Sequence, residues 1–173
     1  MSNTDNFVHL HVHTDYSMLD GAAKVGELLD KAVELKMPAL AITDHGNNFG
    51  AFDFWEQATK KGIKPIIGIE AYLAPGSRFE KSKVQWADGG DDDISKGSYT
   101  HLTMLSTDNE SMFNLFKLSS YAWLEGYYFQ PRMDRELLSR YAKGIVATSG
   151  CASGEVQTRL RLGQYEKALE TAA

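Results

Sequence analysis

A single cysteine, Cys151, rules out an intrachain disulfide and every zinc pattern built on paired cysteines. There is no excess of positive charge: 18 Lys and Arg stand against 23 Asp and Glu, for a net charge of −5. Bulk charge therefore does not draw this chain onto nucleic acid, and any such contact has to be local or metal-assisted. No apolar run approaches the ~20 residues that span a bilayer, so no membrane partner is expected. The first six residues, Met1 to Asn6, are polar and lack an apolar signal core. With the lone cysteine, this fits a reducing, cytoplasmic location. Familiar nucleophile patterns are missing too. Ser149-Gly150-Cys151-Ala152-Ser153-Gly154 does not have the spacing of a Gly-x-Ser-x-Gly elbow. The cysteine–arginine spacing of a cysteine phosphatase fails because position 157 is Gln157. Asp88 to Asp93 has the composition of part of a calcium loop but not its spacing or closing glutamate, and reads as a solvated loop.

What the chain does have is histidine in one place. Three of its five histidines, His9, His11 and His13, lie two residues apart in Phe7-Val8-His9-Leu10-His11-Val12-His13. In a strand, residues two apart share a face, so the imidazoles are expected on one side and Val8, Leu10 and Val12 against a hydrophobic layer. Neutral imidazole is the commonest metal ligand, so the question becomes whether the rest of the chain brings more ligands to this strand.

The remaining pattern alternates. Ala22 to Lys36 carries a helical apolar stripe ending at Met37-Pro38, and Ala39-Leu40-Ala41-Ile42-Thr43 reads as a strand buried on both faces. A loop with Asp44 and His45 leads to a helix from Phe49 to Lys61, then a strand from Pro65 to Leu73. Residues 75 to about 98 are polar and read as an exposed insertion. A strand from Tyr99 to Leu105, a helix from Asn109 to Glu125 and a short helix from Asp134 to Tyr141, with Asp134 as its cap, follow. Gly144 to Thr148 is a further strand, succeeded by helix from about Gly154. The helical run Gln164 to Ala173 stops without a cap, as the N-terminal part of a longer polypeptide would. Five strand–helix units predict parallel strands with helical crossovers, either a doubly wound sheet or a (βα) barrel. Most of the unusual residues fall at or just past strand C-termini, which favours a barrel, incomplete at about five units.

At that face stand His11, His13, Asp20, His45, Glu70, His101 and Cys151, the donor types expected for zinc, manganese or iron. Seven donors exceed one tetrahedral ion, so two or three ions are expected. Clustered ions generate hydroxide from water and clamp phosphoryl oxygens, which points to phosphoester hydrolysis. Blander readings stand beside these. His9 sits deeper in its strand and supports the ligands or packs in the core. Asp44 caps the next helix or orients a ligand. Asp20-Gly21 is a turn dipeptide. Cys151 can be a small buried hydrophobe. Glu70, in an apolar strand, is costly without a cation nearby. Arg159 and Arg161, with Lys81 and Lys83, read as phosphate contacts or as solvated surface.

His11-Val12-His13, Asp20, Thr43-Asp44-His45, Glu70, His101 and Cys151 together resemble the metal motifs of the PHP (polymerase and histidinol phosphatase) family. Tyr16 to Gly21, Thr43 to Asn47, Gly62 to Gly68 and Ser149-Gly150-Cys151 extend the resemblance to the N-terminal PHP domains of bacterial replicative DNA polymerase III alpha subunits, from about Phe7 to Leu169. The resemblance implies an α/β fold, a distorted seven-stranded TIM-like (βα) barrel, holding up to three ions, zinc or manganese. It implies an Asp-x-His pair, final strands and polymerase domains beyond Ala173. It further implies a 3′–5′ exonuclease acting on the primer 3′ end of DNA. The remaining alpha subunit would be a partner, with the sliding clamp and other replisome subunits reached through regions this chain lacks. Two rivals remain: a metal-binding module that only braces the polymerase, and a small-molecule phosphatase of the histidinol-phosphate kind.

Overall fold

The computed structural model describes residues 7–18, 20–86 and 96–173. The polar N-terminal six residues and the Asp88–Asp93 loop reading lie outside them. In chain order the elements are a 3-10 turn Asp15–Ser17, α1 Val25–Glu34, β1 Ala39–Ile42, α2 Ala51–Lys60, β2 Lys64–Leu73, β3 Val84–Gln85 and β4 Lys96–Gly97. Then come β5 Thr100–Ser106, α3 Asn109–Leu124, β6 Arg132–Met133, α4 Arg135–Tyr141, β7 Ile145–Thr148, α5 Glu155–Arg161 and α6 Tyr165–Ala172.

The helices form where the apolar spacing placed them. Val25, Leu29 and Ala32 are the buried positions of α1, a stripe at i, i+4 and i+7. Asp108 opens α3 with a capping box: Ser111 N–H donates to its carboxylate and Asp108 N–H donates to the Ser111 hydroxyl. Asp134 caps α4 as expected, accepting from Leu137 N–H at 2.9 Å.

β2 is the centre of the sheet. The strand order is β1-β2-β5-β7, with β6 also pairing with β2. β1 and β6 run parallel to β2, but β5 is antiparallel to both β2 and β7. The all-parallel expectation is therefore corrected to a mixed sheet. Continuous apolar runs report burial on two faces, not direction. Among its described residues the β2–β5 connection contains no helical crossover, so nothing there forces β5 to be parallel.

The histidine stretch is a second correction. Residues 7–13 run beside β1 without joining a regular ladder. Ala41 N–H donates to His9 O at 3.0 Å and Thr43 N–H to Val12 O at 2.8 Å. Three steps on one side face two on the other, and an extra residue of this kind breaks the alternation of faces. Leu10 is 45 % exposed and only Val12 of the three predicted apolar residues joins the core.

Two cores flank the sheet. Leu29, Leu40, Ile42, Phe54 and Ile67 join α1, β1, α2 and the start of β2. Ile69, Met104, Leu115, Leu118, Met133 and Leu137 join β2 and β5 to α3, β6 and α4. Among the described residues between 75 and 98, Arg78, Trp86 and Ser98 are buried. Gly68 shows how tightly β2 is held: a Cβ there would lie 2.6 Å from Met104 O and 2.9 Å from Thr43 Cγ2. Gly68→Ala is expected to cost about 1–3 kcal/mol through overpacking, read as a lower midpoint in urea unfolding.

Candidate metal centre

β1 ends at Ile42, and its extension still follows β2. Glu70 N–H donates to Asp44 O at 3.0 Å, and Gly46 N–H donates to Glu70 O at 2.9 Å. This parallel bridge sets His45 beside Glu70. Glu70 is 1 % exposed and is the hub. Its Oε2 lies 2.9 Å from His11 Nε2, 2.8 Å from His13 Nε2 and 3.5 Å from His45 Nδ1. Its Oε1 lies 2.8 Å from His101 Nδ1 and 3.3 Å from Cys151 Sγ. Asp20, at the exposed rim, reaches His45 Nε2 at 2.5 Å. Five of the other six side chains singled out in the sequence thus surround the buried Glu70 carboxylate, and the sixth, Asp20, joins through His45.

The electrostatics follow from this crowding. Burial pushes the Glu70 carboxyl up, but hydrogen bonds from His101, His13 and His11 outweigh it and hold the group well below the usual carboxylate range. His13 is raised, first by its hydrogen bond to Glu70 and against the burial that lowers it. His45 is lowered, by burial first and then by the neighbouring His13, whose ring stacks on it at 4.1 Å. Burial also pushes the Cys151 thiol up. Tyr72, packed against the rings of His45 and His101, is pushed to about 12 by burial and then by Tyr99 and Glu70.

The donor set fits divalent ions. Three groups each bring ligand atoms within 4.8 Å of one another: His11, His13 and Glu70; His13, Asp20 and His45; His45, Glu70 and His101. His45 Nδ1 is buried without a hydrogen-bond partner, and a buried lone nitrogen among ligand atoms is what a cation would satisfy. Four imidazoles, two carboxylates and a thiol are also the donors that zinc or manganese takes.

Asp44 and His9 take different places. Asp44 is 2 % exposed and caps no helix. Thr14 N–H and Oγ1–H donate to it at 2.6 and 2.9 Å, and Ser17 Oγ–H at 2.7 Å. Ser17 Oγ in turn accepts from His45 N–H at 3.2 Å and lies 3.5 Å from His13 Nδ1. Asp44 therefore orients two cluster histidines through one hydroxyl. Thr14 and Ser17 were not foreseen, since no local pattern links them to a residue 27–30 positions away. Asp44→Ala would orphan three donors and is expected to cost about 2–3 kcal/mol in chemical denaturation. His9 is not brought to the cluster. Its ring is exposed and, among the described residues, meets only Phe7, at 4.7 Å.

Trp123 also touches the site from outside. Its indole Nε1–H donates to Gly46 O at 3.0 Å, holding the loop that carries His45. A tryptophan on the α3 face gave no sequence signal for that role.

Comparison with known proteins adds independent findings. The chain is 59% identical over 179 residues to DNA polymerase III subunit alpha of Saccharopolyspora erythraea, covering 98% of this chain and 15% of that protein. It is 58% identical over 172 residues to the same-named protein of Mycobacterium tuberculosis, covering 97% of this chain and 14% of that one. The chain thus spans about 15% of the length of these curated relatives. An amidohydrolase structure from Chromobacterium violaceum shares 18% identity at a TM-score of 0.41, covering 96% of this chain and 50% of its own, a likeness too slight to carry an argument. The family model described as PHP domain matches residues 9–173, nearly the whole chain including every cluster residue, and the chain belongs to that family.

Proposed function

We propose that this chain is the metal-binding PHP module of a DNA polymerase III alpha subunit and that it trims DNA from the 3′ end as a phosphodiesterase. The observation that carries the reading is the convergence of five ligand-type side chains on buried Glu70, with Asp20 joined through His45 and His45 Nδ1 without a hydrogen bond. The name of the relatives, DNA polymerase III subunit alpha, supports DNA as the substrate, and we take its primer 3′ end as the point of attack. The same reading takes the mixed sheet as part of a seven-stranded PHP-type barrel in the cytoplasm, beside the polymerase and clamp-binding regions of such a subunit.

His11, His13, Asp20, His45, Glu70, His101 and Cys151 would hold two or three divalent ions, zinc or manganese. Bound there, the ions would supply an activated water and neutralise charge on the phosphoryl oxygens. The protein's own contribution is preorganisation. Glu70 offers one oxygen to His11 and His13 and the other to His101 and Cys151, so it can serve two ion positions at once. Asp44, through Ser17, fixes the His13 and His45 orientations, and its loss is expected to weaken metal affinity about 10–100-fold.

The test is metal content and 3′-end degradation of labelled DNA in the protein and in His11→Ala. Loss of metal with at least a ~100-fold lower rate is expected, the upper end of what outer partners alone cost. Equal degradation by both would sink the catalytic reading. A bracing role has its own support, because the cluster ties residues from six chain segments together. It predicts that metal removal lowers the melting temperature while degradation stays at background throughout.

A further inference from the structure

We infer that a small basic cavity beside the metal cluster binds a backbone phosphate of the nucleic-acid strand whose end enters the centre. The inference rests on the proposed function for the strand, but not for the anion.

The cavity has a volume of about 270 Å³. Lys83 and Arg161 bring positive charge to its lining, and no carboxylate lines it among the described residues. This concentrates positive charge in a chain whose net charge is −5. Ser98, Ser153 and Thr158 line the same space. Basic side chains in a recess focus potential on a small anion, and serine and threonine are residue types that add donors for its oxygens. At 270 Å³ the space lies below ordinary small-molecule pockets, roughly 300–1,000 Å³. It suits a phosphoryl group better than a whole nucleoside.

The cavity is a built one. Its buried wall is Trp86, 6 % exposed, whose carbonyl accepts from Gln164 Nε2–H at 2.7 Å. Ser98 O accepts from Arg132 Nη1–H at 3.0 Å. The sequence offered four basic residues as phosphate contacts, and the structure sorts them. Arg159 lies over the Trp86 ring at 4.6 Å and is tied to Gln164 and Glu155. Lys81 donates to the carbonyls of Glu125 and Tyr127. Arg161 makes a 3.5 Å contact to Oγ1 of Thr158, a residue that also lines the cavity. Arg161 and Lys83 are exposed at the rim.

The link to the metal cluster is short. Tyr99 lines the cavity and stacks parallel to the His101 ring at 5.8 Å. Ser153 lines it too; its N–H donates to Cys151 Sγ at 3.4 Å and its carbonyl accepts from His101 N–H at 3.0 Å. A strand with its terminal phosphodiester at the cluster passes this recess with another phosphate.

The experiment uses the protein stripped of metal on a chelating resin, so that the cluster's ions do not bind the probe. Inorganic phosphate and a short oligothymidylate are titrated separately by calorimetry into the protein and into Lys83→Gln/Arg161→Gln. Both probes are expected to bind the unaltered protein and to weaken at least about tenfold in the double variant, with an unchanged melting temperature. Lys31→Gln/Lys60→Gln, the same charge change on α1 and α2, is expected to bind both probes normally. Equal affinities in all three proteins would overturn the site. Weakening of phosphate alone would overturn the assignment to a strand and leave a free-phosphate site. Because no metal is present, either failure is separate from that of the nuclease reading, which stands or falls on His11→Ala.

Discussion

Replacing Glu70 with glutamine is expected to lower the affinity for zinc or manganese about 10²–10⁴-fold, measured by equilibrium dialysis. The carboxylate is 1 % exposed and faces five other side chains of the cluster. Breaking a buried charge pair by removing one partner costs about 3–5 kcal/mol, which corresponds to that range in affinity. Glutamine keeps the shape, so the change isolates the charge. It also removes the anion that outweighs burial at His13, and the imidazolium there loses its support. Glu70→Asp, which keeps the charge on a shorter stem, is expected to recover part of the affinity. Unchanged binding in Glu70→Gln would mean that the imidazoles hold metal without the hub. It would remove the central element of the proposed site.

The second large effect concerns stability. Arg132 is 1 % exposed, yet no carboxylate among the described residues is bonded to it. Its guanidinium donates to four backbone carbonyls: Gly126 at 3.1 Å, Ser98 at 3.0 Å, Glu80 at 2.7 Å and Arg78 at 3.4 Å. It also lies 5.0 Å over the Tyr128 ring. Burial lowers its pKa, offset in part by Tyr128 and Glu80. One side chain thereby ties Arg78, Glu80 and Ser98 to the end of α3. Arg132→Ala leaves those carbonyls without a donor and opens a void. Each hydrogen bond to a charged group contributes about 1.5–3 kcal/mol and such losses are not additive, so a total of about 4–5 kcal/mol is expected. For a chain of this size that is a melting shift of roughly 10–15 °C. Arg132→Lys is expected to recover little, because a single ammonium cannot span the carbonyls that the planar fork reaches. A melting temperature within 2–3 °C of the unaltered protein would contradict this account.

The neighbouring Arg78 shows the other way of burying a guanidinium. It is paired with Asp134 at 3.0 Å, Glu125 at 2.7 Å and Glu136 at 2.7 Å. Burial lowers its pKa, but these carboxylates outweigh that and raise it. Asp134 thus caps α4 and neutralises Arg78 at once.

The linear chain by itself determined the helices and the seven ligand-type residues. Helices announce themselves locally, because side chains at i and i+4 share a face whatever lies opposite. Such donor types are legible because a carboxylate in an apolar strand, such as Glu70, is costly there without a partner. Only the tertiary structure decided how those residues are used. The direction of β5 depends on the path between strands, which burial patterns do not report. His9 left the cluster because an extra residue beside β1 broke an alternation that composition alone predicts to continue. Glu70 became the hub because β1, β2 and β5 pair in one particular register. Asp44 reaching Ser17 and Arg132 reaching Ser98 are contacts between segments far apart in the chain, and Lys83 and Arg161 come to one cavity from equally distant segments. No local periodicity encodes such contacts, since their free energy exists only once the segments are packed.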